Sequence, residues 1–198
     1  AADIVELMND LKLTSATLIG HSLGGKVAMQ VALNNPERVS DLVVIDIAPV
    51  TYAARQDAAL DALNLLAENA IHSRRDADGL ISEHIAEASV RAFLLKNLAR
   101  NPAGDFSLKL NLQSVNQNYA TTLVSGPTGD PYKGPTLFLK GEHSAYIQQK
   151  HRPIIQQLFP NSQLEVVVDT GHWLHAEKPE TVNALIRAFI ETKTPTKA

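Results

Sequence analysis

The sequence contains no cysteine. Disulfides, thiolate nucleophiles and thiolate metal sites are therefore excluded, and the composition suits a reducing cytoplasm. A basic surplus is also missing: 18 Lys and Arg stand against 21 Asp and Glu, for a net charge of −3. That balance argues against nucleic acid and anionic lipid as partners. No apolar run approaches the roughly 20 residues needed to span a bilayer, so no membrane segment is expected. Internal repeats, low-complexity tracts and a visible signal peptide are absent too.

What remains is an ordinary globular composition, 44% hydrophobic and 20% charged, for which one domain is the default expectation. The chain opens on an amphipathic stripe of Ile4, Val5, Met8 and Leu11, which predicts a helix. Four apolar runs predict strands at 16–19, 42–47, 136–140 and 163–168. The second, Leu42-Val43-Val44-Ile45-Asp46-Ile47, is continuous enough for a parallel strand buried on both faces. Helices are expected at 23–34, ended by Asn34-Asn35-Pro36, and at 179–192, where Pro179 suits a first turn; the tail 193–198 is expected to fray. Strands alternating with helices imply a parallel α/β sheet. The rhythm breaks between the second and third strands, where roughly 85 residues (49–133) intervene; loops of that length are usually functional. Helical patterns fill 58–66 and 90–98, and 106–112 alternates like an extended ribbon.

The strongest chemical signal is Gly20-His21-Ser22-Leu23-Gly24. It fits the G-x-S-x-G pattern in which a serine sits on a sharp strand-to-helix turn. The five-residue pattern alone is weak. Its setting, a predicted strand before and a predicted helix after, is what the turn requires. Small neighbours relieve clashes at a strained serine, and the helix N-terminus offers amide donors to a developing oxyanion. On this side of such a hole the Leu23 N–H is the expected donor.

A serine hydroxyl needs a base. Of the seven histidines, His172 follows the fourth strand through Asp169-Thr170-Gly171, at the strand's C-terminal end, where catalysis on parallel sheets concentrates. His175 is its nearest competitor and is expected to pack or cap the next helix. A metal site on His172 and His175 is disfavoured for want of carboxylate or thiolate partners, and no metal ligands are assigned. Two places could supply an acid to orient the imidazole. One is Glu142, in the turn after the third strand. The other is Asp46, a lone acid in an apolar strand, costly to bury unless paired. The order Ser22, Asp46, His172 matches serine–acid–histidine.

With these residues assembled, the sequence resembles a known family. The motifs are Gly20-His21-Ser22-Leu23-Gly24-Gly25-Lys26-Val27-Ala28-Met29, then Val44-Ile45-Asp46-Ile47-Ala48-Pro49-Val50, then Gly171-His172-Trp173-Leu174-His175-Ala176-Glu177-Lys178-Pro179. Together they are similar to the YbfF-type bacterial esterases and the abhydrolase-domain-11 proteins of the α/β-hydrolase superfamily. The resemblance implies an α/β-hydrolase fold with hydrolase core at 1–48 and 134–198; the mainly helical insertion at 49–133, which leaves directly from the strand end carrying Asp46, reads as a cap over the active site in preference to an ordinary insertion packed on the rim. The resemblance implies a serine hydrolase acting on short acyl esters or thioesters, including acyl-CoA. It places the acid after the strand before the cap, which supports Asp46, and gives Ser144 a hydrogen bond to the triad. It also implies roughly 70 to 80 residues upstream of Ala1, carrying the first strands and a second oxyanion donor. A fold cut at Ala1 is expected to be N-terminally incomplete and to self-associate through an exposed sheet edge.

The mechanism expected from these residues is acyl transfer through an acyl-enzyme on Ser22, with no metal or organic cofactor. Perhydrolase or haloperoxidase-like activity and C–C bond hydrolysis could use the same triad. A noncatalytic binding module predicts a damaged triad, and Ser22, Asp46 and His172 are all in register.

Overall fold

The computed structural model of the protein describes residues 1–53, 58–100 and 104–191. Two compact units emerge, one from Ala1–Tyr52 with Ser125–Ala198 and one from Ala53–Val124. The first is built on a four-stranded parallel sheet. Its strands are β1 (Ala16–His21), β2 (Val39–Ile45), β5 (Thr136–Gly141) and β6 (Ser162–Val167), in spatial order β1-β2-β5-β6. Leu18 pairs with Leu42, Val43 with Leu137 and Phe138 with Leu164.

Strand alternation sorts the side chains into two cores. Leu42, Val44 and Phe138 face one side, where they meet Met29, Val31 and Ala32 of helix α2 (Leu23–Asn34) and Ile155 and Leu158 of α7 (Arg152–Leu158). Val43, Ile45, Leu137 and Leu139 face the other, against Leu174 of α8 (Leu174–Glu177) and Val182 and Phe189 of α9 (Pro179–Glu191). Each fully buried Val, Leu or Phe contributes on the order of 1.5–3 kcal/mol, so both layers are needed. Tyr132, which lies just before β5, donates its hydroxyl to the Val39 carbonyl at 2.9 Å and ties the entries of β2 and β5 together.

The α/β-hydrolase reading of the sequence is borne out in architecture, and the boundaries refine it. β2 starts at Val39 and ends at Ile45, because Asp46 has φ 52° and leaves the extended region. The Asp46 N–H still reaches the Leu139 carbonyl at 2.8 Å. α1 (Ala2–Asp10) buries Met8. α2 spans the predicted range, and α9 begins at Pro179 as its N1 chemistry requires. The tail expected at 193–198 lies outside the described residues. On the open side of β1, an apolar groove of about 420 Å³ is lined by Ile4, Leu18, Ile19, Leu23, Gly24, Val27 and Ala28. Among the described residues no helix is long and apolar enough to cross a membrane.

The second unit holds α3 (Ala58–Glu68), α4 (Arg74–Ile81), α5 (Ala88–Leu94), a ribbon of β3 (Leu98–Arg100) against β4 (Phe106–Leu108), and α6 (Leu112–Asn118). The helix expected over 90–98 ends sooner, because Leu98 pairs with Leu108 across the ribbon. The extended run expected to 112 stops at Leu108, and Asn111 then caps α6 by accepting from the Ser114 N–H. Ser73 caps α4 in the same way. Arg91 binds Asp78 at 2.8 Å and so joins α5 to α4.

α2 lies directly on β2 at Gly25. A Cβ there would stand 2.7 Å from the Ile47 side chain and 3.0 Å from the Gly20 carbonyl. At Gly24 a Cβ would meet nothing within 4 Å. Gly25→Ala is therefore expected to destabilise the fold by about 1–3 kcal/mol, the cost of overpacking. Gly24→Ala, which gains helix propensity, should leave stability unchanged or slightly higher. Thermal or urea unfolding of the two variants checks the ranking.

Candidate active site

The C-terminal ends of the parallel strands converge on one edge of the sheet. Ser22 follows β1, Asp46 follows β2, Ser144 comes three residues after β5, and His172 sits on the loop after β6. Asp46, Ser144 and His172 meet through side chains at this edge, and Ser22 ends the neighbouring strand, as the topology of parallel sheets favours.

At Ser22 the chain turns abruptly. The residue has φ 51° and ψ −117°, a conformation that L-residues avoid. Its N–H remains in the sheet ladder, donating to the Ile45 carbonyl at 3.0 Å, and its own carbonyl accepts the first helical bond from the Lys26 N–H. The amides of Leu23, Gly24 and Gly25 therefore open α2, at the positive end of its dipole. Gly20 is required for the turn: a Cβ there would lie 2.2 Å from the Gly24 carbonyl oxygen.

Asp46 is wholly buried. Its Oδ1 accepts from the Gly141 N–H at 3.2 Å, and its Oδ2 accepts from His172 Nδ1 at 2.8 Å and from the Ser144 hydroxyl. A carboxylate is acceptor-only, so His172 carries its proton on Nδ1. The Nε2 lone pair of the neutral ring is then free to take a proton. The His172 side chain is 19% exposed, enough to meet a small molecule.

His21 packs against this ring. Its Nε2 lies 2.9 Å from the His172 carbonyl, an acceptor, so Nε2 is the protonated nitrogen of its neutral form. Its ring stands 4.6 Å from that of His172 and 4.2 Å from that of His175. Burial, reinforced by the neighbouring His172 and His175, lowers the His21 pKa from 6.5 to about 3. This contact also brings the elbow and the histidine loop together.

Glu177 holds the loop from below and escaped sequence reasoning. Its two carboxylate oxygens accept from the Gly171 N–H at 2.9 Å and the Trp173 N–H at 3.2 Å, the amides on either side of His172. The available signal was an acid five residues after a loop histidine, placed to satisfy amides that a tight turn leaves open. Glu142, the other candidate acid, instead accepts from the Asp169 N–H at 2.8 Å. His72 and His84 belong to the second unit; His151 Nδ1 accepts from the Gln148 N–H. Glu142, His143 and Asp169 bring donor atoms within 4.8 Å of one another, but all three are exposed and the Lys178 ammonium stands 3.6 Å from Asp169.

The depressed pKa of His21 has a consequence for stability. As pH falls below 6.5 the unfolded chain binds a proton at His21, and the folded chain resists until about pH 3. Stability must therefore fall with pH through that window, with a slope of at most about 1.4 kcal/mol per pH unit from this group. His21→Gln keeps a donor for the His172 carbonyl and removes the titration. Its unfolding free energy, measured in urea between pH 7 and pH 4, should fall less steeply than that of the parent.

Comparison with known proteins agrees with the fold. The alpha/beta hydrolase fold family matches residues 1–179. The sn-1-specific diacylglycerol lipase ABHD11 of Mus musculus is 38% identical over 95% of this chain and 63% of its own length. Esterase YbfF of Escherichia coli is 32% identical over 96% of this chain and 73% of its own. Among solved structures, a marine microorganism esterase superposes with a TM-score of 0.82 at 34% identity, covering 95% of this chain and 75% of that one. The chain spans about 63% of the length of the mouse relative. On the strength of the fold, the elbow and these matches, the chain belongs to the alpha/beta hydrolase fold family.

Proposed function

We propose that this chain carries the catalytic residues of an esterase-type serine hydrolase, with Ser22 as nucleophile, His172 as general base and Asp46 as its acid. The observation that carries the reading is the 2.8 Å contact between His172 Nδ1 and the buried Asp46 carboxylate, at the sheet edge where the strained Ser22 turn lies. Relatives described as a diacylglycerol lipase and an esterase support carboxylic esters as the substrate class. Thioesters, including acyl-CoA, present the same carbonyl to the same groups and are included.

Ser22 Oγ attacks the carbonyl carbon as His172 Nε2 takes its proton. Asp46 keeps the Nδ1–H tautomer and stabilises the imidazolium. Ser144, bonded to the same carboxylate oxygen, supports the acid. The Leu23 N–H donates to the oxyanion, helped by the α2 dipole. The C–O or C–S bond then breaks, and the leaving group departs with the proton from His172. A water molecule, deprotonated by the same nitrogen, attacks the acyl-enzyme and frees the acid.

Ser22→Ala in the full protein is expected to lower ester hydrolysis by at least about 10³-fold. Asp46→Asn should cost about 10³- to 10⁴-fold in kcat by leaving the ring in the wrong tautomer. Glu142→Gln should cost little. A fluorophosphonate probe should label Ser22, located by mass spectrometry, and an acyl-chain series on oxygen and thio esters would define the substrate. Labelling of another serine, or near-normal turnover in Ser22→Ala, would overturn the assignment.

A further inference from the structure

One hydrogen bond donated to Asp46 fixes the Nδ1 end of His172 but leaves the imidazole free to tilt about that contact. Tyr146 lies over the ring with centroids 4.1 Å apart and planes 28° apart, a stacked arrangement. His21 and Trp173 also touch the ring, tilted by 41° and 69°.

Tyr146 is itself held by its backbone. Its N–H donates to the Ser144 hydroxyl oxygen at 3.2 Å. Its carbonyl accepts the Tyr52 hydroxyl at 2.5 Å, and that hydroxyl accepts the Ala48 N–H at 2.9 Å. One phenol thus joins the segment leaving Asp46 to the segment carrying Ser144 and Tyr146. Burial pushes the Tyr52 pKa above the ordinary phenol range, so the hydroxyl stays a donor. The Lys26 ammonium sits 5.0 Å over the Tyr52 ring and also donates to the Ser125 carbonyl at 2.8 Å, which anchors the far side of the tether.

We infer that Tyr146 is a positioning residue for His172, held in place by the Tyr52 hydroxyl, and that its ring face favours the imidazolium formed when Ser22 gives up its proton. This rests on the serine hydrolase reading above. The face of a phenol ring is electron-rich and attracts a cation placed over it more than a neutral ring. The stack therefore strengthens as His172 becomes charged, which lowers the barrier rather than merely tightening substrate binding. The Tyr146 ring face makes the contact with His172, and its backbone makes the hydrogen bonds to Ser144 and Tyr52.

The test compares Tyr146→Phe, Tyr146→Ala and Tyr52→Phe in the full protein. Two readouts are used: the rate of fluorophosphonate labelling at Ser22, and the low-field proton NMR signal of the His172 Nδ1–H. Tyr146→Phe should match the parent in both. Tyr146→Ala should label roughly tenfold more slowly, the scale of a lost cation–π contact, and broaden or lose the low-field signal. In ester hydrolysis its loss should fall on kcat with KM unchanged. Tyr52→Phe should label roughly threefold more slowly, because the tether loses a buried hydrogen bond. Should Tyr146→Ala not fold, Tyr146→Leu takes its place with the same expectation. Parental labelling together with an intact low-field signal in the ring-less variant overturns the inference. If the parent itself does not label at Ser22, the hydrolase reading fails alone: loss of the low-field signal in Tyr146→Ala and its retention in Tyr146→Phe still support the positioning role, and an unchanged signal overturns it.

Discussion

A carboxylate with no solvent exposure organises one edge of this protein. Moving such a group out of water costs several kcal/mol even after relaxation, unless other groups replace its hydration. Asp46 finds those groups in three places: the Gly141 amide at the end of β5, the Ser144 hydroxyl in the turn beyond, and the His172 imidazole on the loop after β6. Satisfying one buried charge therefore fixes the relative positions of segments 95, 98 and 126 residues away. The strand itself bends to allow it. Asp46 takes φ 52° while its N–H stays bonded to Leu139, so the side chain leaves the sheet and the ladder survives.

Backbone strain gathers at the same edge. Ser22, Asp46 and Asp169 have φ near 51°, and they follow β1, β2 and β6. Each such residue costs on the order of 1–3 kcal/mol and persists when its surroundings over-determine it. Here the surroundings are strong. Ser22 is bonded to Ile45 on one side and Lys26 on the other, and the Asp169 N–H is held by Glu142. The buried sheet and its two cores supply the stability that the edge spends on geometry.

Around His172 the control is divided among different kinds of contact. Asp46 sets the tautomer, Glu177 sets the backbone of the loop, and the rings of Tyr146, His21 and Trp173 surround the imidazole. His21 is kept neutral by burial and bonds to the carbonyl of the residue whose ring it touches. A histidine beside the serine thereby packs on the ring of His172. Glu142, the other candidate acid, is committed to the Asp169 amide.

Much of the fold was legible along the chain because local rules determine it. Continuous apolar runs mark strands buried on both faces, Pro179 marks a helix start, and Gly20 and Gly24 around Ser22 mark a turn that most side chains would obstruct. Even there the reason shifted: Gly20 and Gly25 are sterically required, while a Cβ at Gly24 would enter open space. Asp46 stood out for an energetic reason, since an acid in an apolar strand must have partners. Which partners it has is a matter of strand order and loop path, and no periodicity encodes that. The stacking of Tyr146 on His172, the Tyr52 bridge and the Glu177 clamp join residues through space, and their sequence signals are single, common residue types. Sequence by itself therefore determined the strands of the parallel sheet, the helices that open and close its two halves, the elbow and the short list of chemically able side chains. Tertiary structure decided which of them meet, because contacts at a sheet edge depend on where distant strand ends are brought together.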